Sequence, residues 1–366
     1  MAPYTTDSSS SRDYHVMSAA ENRQKVKPRT KHVFSAVLLL SVCTLFGHQA
    51  NSQQINNSVS VFSTYPSEAL ESLCSQSSLT ASCSEDAIAP ATLINAIQTT
   101  RVFSALAPFA EGSDYELLIA NVGHSEIDLS SQFVEFTLQW RGIEIDSAMF
   151  NTAQRASSKD QLASELVMQW VEHIKVRDIF STRYLYSALD ASNYESSLTV
   201  PERVGDFTKL DTQLYADPFS GAITRYTHPS YEDALVDVTV YPILDSLDTE
   251  VNLLLNSQLD QDYEKANSVA SAQQLTLSLS DPASPYSVNP TIQGWRLGLK
   301  AESETADPIY ASTYVFRKED KFVKVATTFP THFSDPLVNE LITHVQVPKE
   351  SPLMKNIREM LSKQLN

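Results

Sequence analysis

Beyond residue 52, the side chains able to do chemistry are two cysteines, five histidines and a surplus of carboxylates. Cys74 and Cys83 lie in a short serine-rich run, SLCSQSSLTASC. Such a loop closes readily into a disulfide in an oxidising compartment, and the bond contributes about 2–3 kcal/mol by restricting the unfolded chain. No histidine or third cysteine stands at ligand spacing beside them, so a metal site is not expected. His124, His173, His228, His332 and His344 form no H-x-x-x-H pair and fall in polar turns or on exposed helix positions, which reads as solvated side chains. The pair with most claim to acid–base chemistry is His228 with Asp237, which neighbouring strands would bring together.

The other motifs are weaker. Asp260-x-Asp262-x-Glu264 has the alternating carboxylates of a calcium loop, but it lacks the turn glycine and sits inside a helical pattern, so it reads as a solvated helix face. The whole chain holds only eight glycines and carries no G-x-G-x-x-G, Walker-type loop, G-x-S-x-G elbow or S-x-x-K. No catalytic residue, cofactor or metal ligand is assigned. A hydrolase whose triad assembles from distant residues stands as a second alternative.

Where the protein works is written near its start. Residues 33–46 (VFSAVLLLSVCTLF) are apolar, follow the basic positions Arg23, Lys25, Lys27, Arg29 and Lys31, and precede small residues at Ala50 and Ser52. The run is shorter than the roughly 20 apolar residues that span a bilayer, so residues 1–52 are expected to be a leader and signal peptide cleaved after Ser52. The expected destination is the periplasm or the exterior. Met17 offers a second start, and LSVC ending at Cys43 gives a lipid-anchored alternative in which bulky Val42 replaces the usual small residue.

Charge narrows the partners. Losing residues 1–52 removes six basic and three acidic side chains and moves the formal charge from −17 to −20. Such a surface repels phosphate backbones and anionic headgroups, which argues against nucleic acid and general membrane adsorption.

The elements follow from periodicity. Pro90 opens a helix with Leu93, Ile94 and Ile97 on one stripe, with Asp86 a cap before it. Strands are expected at 115–122, 132–140 and 143–150, the last two joined by a tight hairpin at Arg141-Gly142. Leu162, Leu166, Val167, Trp170, Val171 and Ile174 then set a helical period over 159–180, and 183–190 extends it. These make an N-terminal α+β domain over 53–190, with 192–201 as linker.

A C-terminal α+β domain is expected over 198–347. Strands at 207–215, 222–227 and 235–243 form a meander. A helix at 248–272, a proline-rich loop at 281–290, strands at 292–300, 309–317 and 322–329, and a helix opened by Asp335-Pro336 follow. The charged turn at 318–321 joins the last two strands. Gly294 and Gly298 fall in a strand, where close backbone approach or a bulge is expected. Trp140, Trp170 and Trp295 read as core.

The order of these elements is that of an antiparallel sheet covered on one face. YVFRKEDKFVKVATTFP and RYTHPSYEDALVDVTVYPI resemble the paired-hairpin sheets of the PsbP/Mog1-like superfamily, whose members are small non-catalytic binding and assembly proteins. TRVFSALAPFAEGSDYELLIANV resembles modules of bacterial envelope lipoproteins that assist transporters or wall synthases.

The fold class expected is α+β, two modules, each an antiparallel sheet covered by helices. The function expected is a non-catalytic envelope protein that binds a partner protein or supports an assembly. The alternative is a carrier of a small apolar ligand in a cavity between helix 248–272 and its sheet. Residues 349–366 form an amphipathic tail helix with Leu353, Ile357, Leu361 and Leu365 on one face, which lies on the protein's own acidic body or contacts a partner or membrane.

Overall fold

The computed structural model describes residues 55–64, 88–124, 132–152, 158–304 and 307–364. Asp86, Cys43, Cys74, Cys83, Leu365, the leader and its cleavage site lie outside the described residues. The fold is α+β, built on one five-stranded and one eight-stranded sheet.

The first sheet runs β2-β1-β3-β4-β5. Its strands are β1 (Ile55–Ser63), β2 (Phe103–Pro108), β3 (Tyr115–His124), β4 (Gln132–Trp140) and β5 (Ile143–Asn151). The last three form an antiparallel meander. Arg141 and Gly142 both adopt positive φ, 47° and 81°, the mirror-image turn that matches strand twist. The sheet is mixed, because β1 pairs parallel with β2 and β3. A parallel neighbour needs a crossover, and α1 (Pro90–Thr100) lies in the connection from β1 to β2. Sequence reading missed both edge-side strands, since INNSVSVFS is mostly polar and FSALAP ends on proline.

Two helices cover this sheet. α2 (Lys159–Val176) is capped by Ser158, whose hydroxyl accepts from the Gln161 N–H at 3.3 Å. Its Trp170 is buried against Phe136 and Phe103, with ring centroids 5.1 and 5.9 Å away. Two short helices lead out, α3 (Thr182–Ala188) and α4 (Tyr194–Ser197). Their Tyr186 and Tyr194 are buried in the core of the second sheet.

The second sheet is wholly antiparallel in the order β10-β11-β12-β13-β9-β8-β7-β6. In chain order its strands are β6 (Arg203–Val204), β7 (Phe207–Leu214), β8 (Ala222–Thr227), β9 (Leu235–Pro242), β10 (Thr276–Asn289), β11 (Ile292–Glu302), β12 (Ile309–Lys318) and β13 (Lys321–Thr327). Between β9 and β10 the chain forms α5 (Val251–Ala272), and after β13 come α6 (Thr331–His344) and α7 (Pro352–Gln364).

Three expectations are corrected here. The sheet is covered on both faces, because Val236, Val238 and Val240 pack with α6 while Val315, Phe322 and Leu299 pack with α5. Residues 281–289 are not a loop but part of β10, an edge strand where Pro282 and Pro285 are tolerated and the register shifts at Asp281 and Ser284, and only Pro290 lies in the turn beyond it. And α6 begins at Thr331, a turn before Asp335-Pro336, so Pro336 sits inside the helix.

The glycines of β11 behave as expected of close approach. A Cβ on Gly294 would stand 2.5 Å from the Val315 carbonyl oxygen, and one on Gly298 2.7 Å from the Ser280 hydroxyl. The turn after β12 exposes Glu319 but buries Asp320 and Lys321. Lys321 is fully buried and donates to both Asp320 oxygens at 2.6 and 2.7 Å. Arg358 of α7 donates to the Ile243 carbonyl at 2.6 Å and to Asp320 Oδ2 at 3.3 Å. Leu353 and Met354 are buried, Ile357 is half-buried against the first sheet's core, and Leu361 is exposed.

Candidate binding cleft

Alternation along each strand aims every second side chain at α5. On that face stand Thr239 and Tyr241 of β9, Ala311 and Thr313 of β12, Lys324 and Ala326 of β13, and Ala301 of β11. Most are small. A helix laid over large neighbours at Leu299 and Phe322 therefore cannot close onto this part of the floor, and a cleft of ≈ 930 Å³ remains between α5 and the sheet. Leu254, Gln258, Asp262, Ala266 and Val269, at helical spacing on α5, form its roof. Leu277, Leu299, Ile309 and Ile223 make most of its walls apolar.

Polar and charged residues also line it, among them Asp237, Thr239, Asp245, Gln258, Asp262, Lys265 and Lys324. Lys324 Nζ lies 3.0 Å from Asp262 Oδ1 and 5.9 Å from the centroid of the Tyr241 ring. Gln258 Nε2 donates to the same Asp262 oxygen at 3.4 Å. The Tyr241 hydroxyl and Asp262 Oδ2 are buried and have no hydrogen-bond partner within the protein. Burial pushes the Tyr241 phenol well above its ordinary value, and the Asp262 charge adds to the shift. Asp262 is thus no solvated carboxylate, as its helical spacing had suggested; α5 turns it inward while Asp260 and Glu264 face water.

The expected His228–Asp237 pair does not form. Asp237 on β9 is buried and takes both Nε and Nη2 of Arg225, the residue opposite it on β8, at 2.8 and 2.7 Å. His228 lies past the end of β8, edge-on to Phe207 and tilted against Tyr231 with centroids 5.2 and 4.7 Å away, and its Nδ1 accepts from the Ser230 N–H. His173, expected to be solvated, instead meets buried Asp146 at 2.9 Å. That carboxylate also takes Arg177 at 2.5 Å and the Tyr184 hydroxyl at 3.0 Å, so it fastens α2 and α3 to β5. His332 and His344 are exposed on α6, and His124 ends β3. Among the described residues no three His, Cys, Asp or Glu side chains converge to hold a metal ion. No described helix is long and apolar enough to cross a membrane.

Tyr241 and Lys324 were not singled out from sequence. The available signal was the pattern LVDVTVYPI, in which polar Asp237, Thr239 and Tyr241 interleave with fully buried valines. In sequence such alternation is the mark of a solvated face, so a polar row covered by a helix cannot be told from an exposed one.

No family model matches the chain, and no curated protein matches it. Among solved structures it is similar to the solution structure of cyanobacterial PsbP (CyanoP) from Synechocystis sp. PCC 6803, at 14% identity over 42% of this chain and 93% of that chain, with a TM-score of 0.30. The likeness is distant.

Proposed function

We propose that this chain is a non-catalytic, exported binding protein that carries a small, largely apolar molecule in the cleft between α5 and the eight-stranded sheet. The observation that supports it most is the cleft itself, ≈ 930 Å³ with largely apolar walls and Tyr241, Asp262 and Lys324 among its polar groups. That size and lining suit a small-molecule site. Catalysis would ask for a nucleophile held by a base; Tyr241 is a phenol kept protonated by burial, and Lys324 is engaged by Asp262.

The test is binding of Nile red, an uncharged apolar dye, to the purified protein and to Ala311→Trp and Ala266→Trp. The first fills the floor and the second the roof. Both variants should retain the native circular dichroism and lose the dye's fluorescence. Fluorescence equal to the parent in both folded variants would sink the cleft reading. The partner-protein reading, with exposed Leu361 on α7 as a contact, would then replace it.

A further inference from the structure

Two charges on the cleft's rim are left unanswered, and their separation describes the ligand, an inference that rests on the cleft being the binding site. Of the charged side chains that line it, Asp262 is paired with Lys324, and Asp237 with Arg225 of β8. Asp245 and Lys265 remain, both exposed and both without an ion-pair partner among the described residues. Asp245 follows closely on Ile243, which packs with Leu254 and Leu255 at the start of α5. Lys265 lies three turns beyond Leu254, about 16 Å along the helix axis. The two free charges therefore stand toward opposite ends of the cleft. Neutral hydrogen-bonding groups lie along it. Ser257, Gln261 and Ser268 share the exposed rim of α5 with Lys265 at helical spacing, and half-buried Thr239 and Thr313 line the floor. Among the described residues none of these five side chains has a hydrogen-bond partner. Apolar walls stand at both ends, Phe219, Leu254 and Phe322 toward Asp245, and Val269, Leu277 and Ala311 toward Lys265.

We infer that the cleft takes a short apolar peptide in extended form, its amino terminus at Asp245 and its carboxyl terminus at Lys265. A strand rises about 3.3 Å per residue, so about five residues span the two charges. The peptide's amides need partners once they leave water, and the serine, threonine and glutamine groups along the cleft supply donors and acceptors that a hydrocarbon would leave unused. A zwitterion answers both free charges and adds none. A fatty acid or an alkylammonium answers one and leaves the other, and a lone anion also meets the field of a chain whose formal charge is −17.

Calorimetric titration of the full chain with the pentapeptide LALAL, its N-acetyl and C-amide forms and the dipeptide LA tests this. Each blocked form should bind about twofold to fivefold more weakly than the free pentapeptide, the contribution of one exposed ion pair. The dipeptide, which cannot span both charges and covers less of the apolar wall, should bind roughly tenfold more weakly or worse. Asp245→Asn should erase the penalty for acetylation and keep the one for amidation, and Lys265→Met should do the reverse. The free pentapeptide should also displace Nile red. Free and blocked pentapeptides binding alike, or penalties unchanged in both variants, would overturn the peptide assignment while Nile red, bound by the parent and lost in Ala311→Trp, still reports the cleft. Absence of Nile red binding in the parent protein would overturn both.

Discussion

Lys324 of β13 and Asp262 of α5, 62 residues apart in sequence, meet at 3.0 Å and tie the helix to the sheet across the cleft. Each is partly shielded from water, with 25% and 12% of its side chain accessible. Removing either partner leaves the other charge in a half-dry site, while removing both leaves none. Lys324→Met or Asp262→Leu alone should lower stability by about 1–2 kcal/mol, and the double variant by less than their sum. Urea unfolding of the four proteins measures it, and strict additivity would show that the pair is uncoupled.

Gly221 precedes β8 at φ 68°, and a Cβ there would stand 1.9 Å from the Val240 carbonyl oxygen. Its own carbonyl accepts from the Tyr186 hydroxyl at 2.8 Å, which links α3 to the second sheet. Gly221→Ala combines left-handed strain with a backbone clash that no side chain can relieve, so it should destabilise by about 3 kcal/mol. A midpoint of urea denaturation unchanged from the parent would contradict this.

The tail helix α7 is held by Arg358, whose guanidinium caps the Ile243 carbonyl and reaches Asp320, and by buried Leu353 and Met354. Arg358→Ala should cost about 2 kcal/mol, because it strips charged hydrogen bonds from a carbonyl and a carboxylate that stay buried. Truncation before Lys349 should cost more. Thermal melts of both variants check the order, and a truncated chain as stable as the parent would mean that α7 serves contacts outside this protein.

Seven tyrosines, five of them buried and two half-buried, set an alkaline limit. Burial, with Asp114 adding, pushes the Tyr115 phenol up to about 12, and burial with Asp335 does the same to Tyr286. Burial also raises Tyr186, Tyr194, Tyr226, Tyr241 and Tyr314. Above the ordinary value of 10.0 the unfolded chain loses these protons while the folded one keeps them. The native state then binds more protons, so stability is full below pH 10 and falls as pH rises beyond it, more steeply than the ~1.4 kcal/mol per pH unit of a single group. Tyrosinate absorbance from these seven should appear together with loss of circular dichroism, not ahead of it.

The proposed export leads to the expectation that Cys74 and Cys83 form one intramolecular disulfide. The protein's mass without reduction should be two hydrogens below the reduced mass. Two cysteines that alkylate in the native protein would exclude the bond.

Local chemistry made part of this protein legible in its residues. Arg141-Gly142 gives a turn with positive φ at both positions. Ser158 caps α2, and Leu162, Leu166 and Trp170 repeat at helical spacing, so hairpin and helix need no distant information. The parallel pairing of β1, the strand character of proline-bearing β10 and the meeting of Asp262 with Lys324 depend on which elements become neighbours. Period-2 alternation places Lys324 on one face of β13 but does not say that α5 will cover that face, nor that Ala301, Ala311 and Ala326, diagonal neighbours on three strands, will share it and leave a hollow. That outcome is decided by strand order and register, because side chains from β11, β12 and β13 become one floor only when backbone pairing brings their alternate positions side by side.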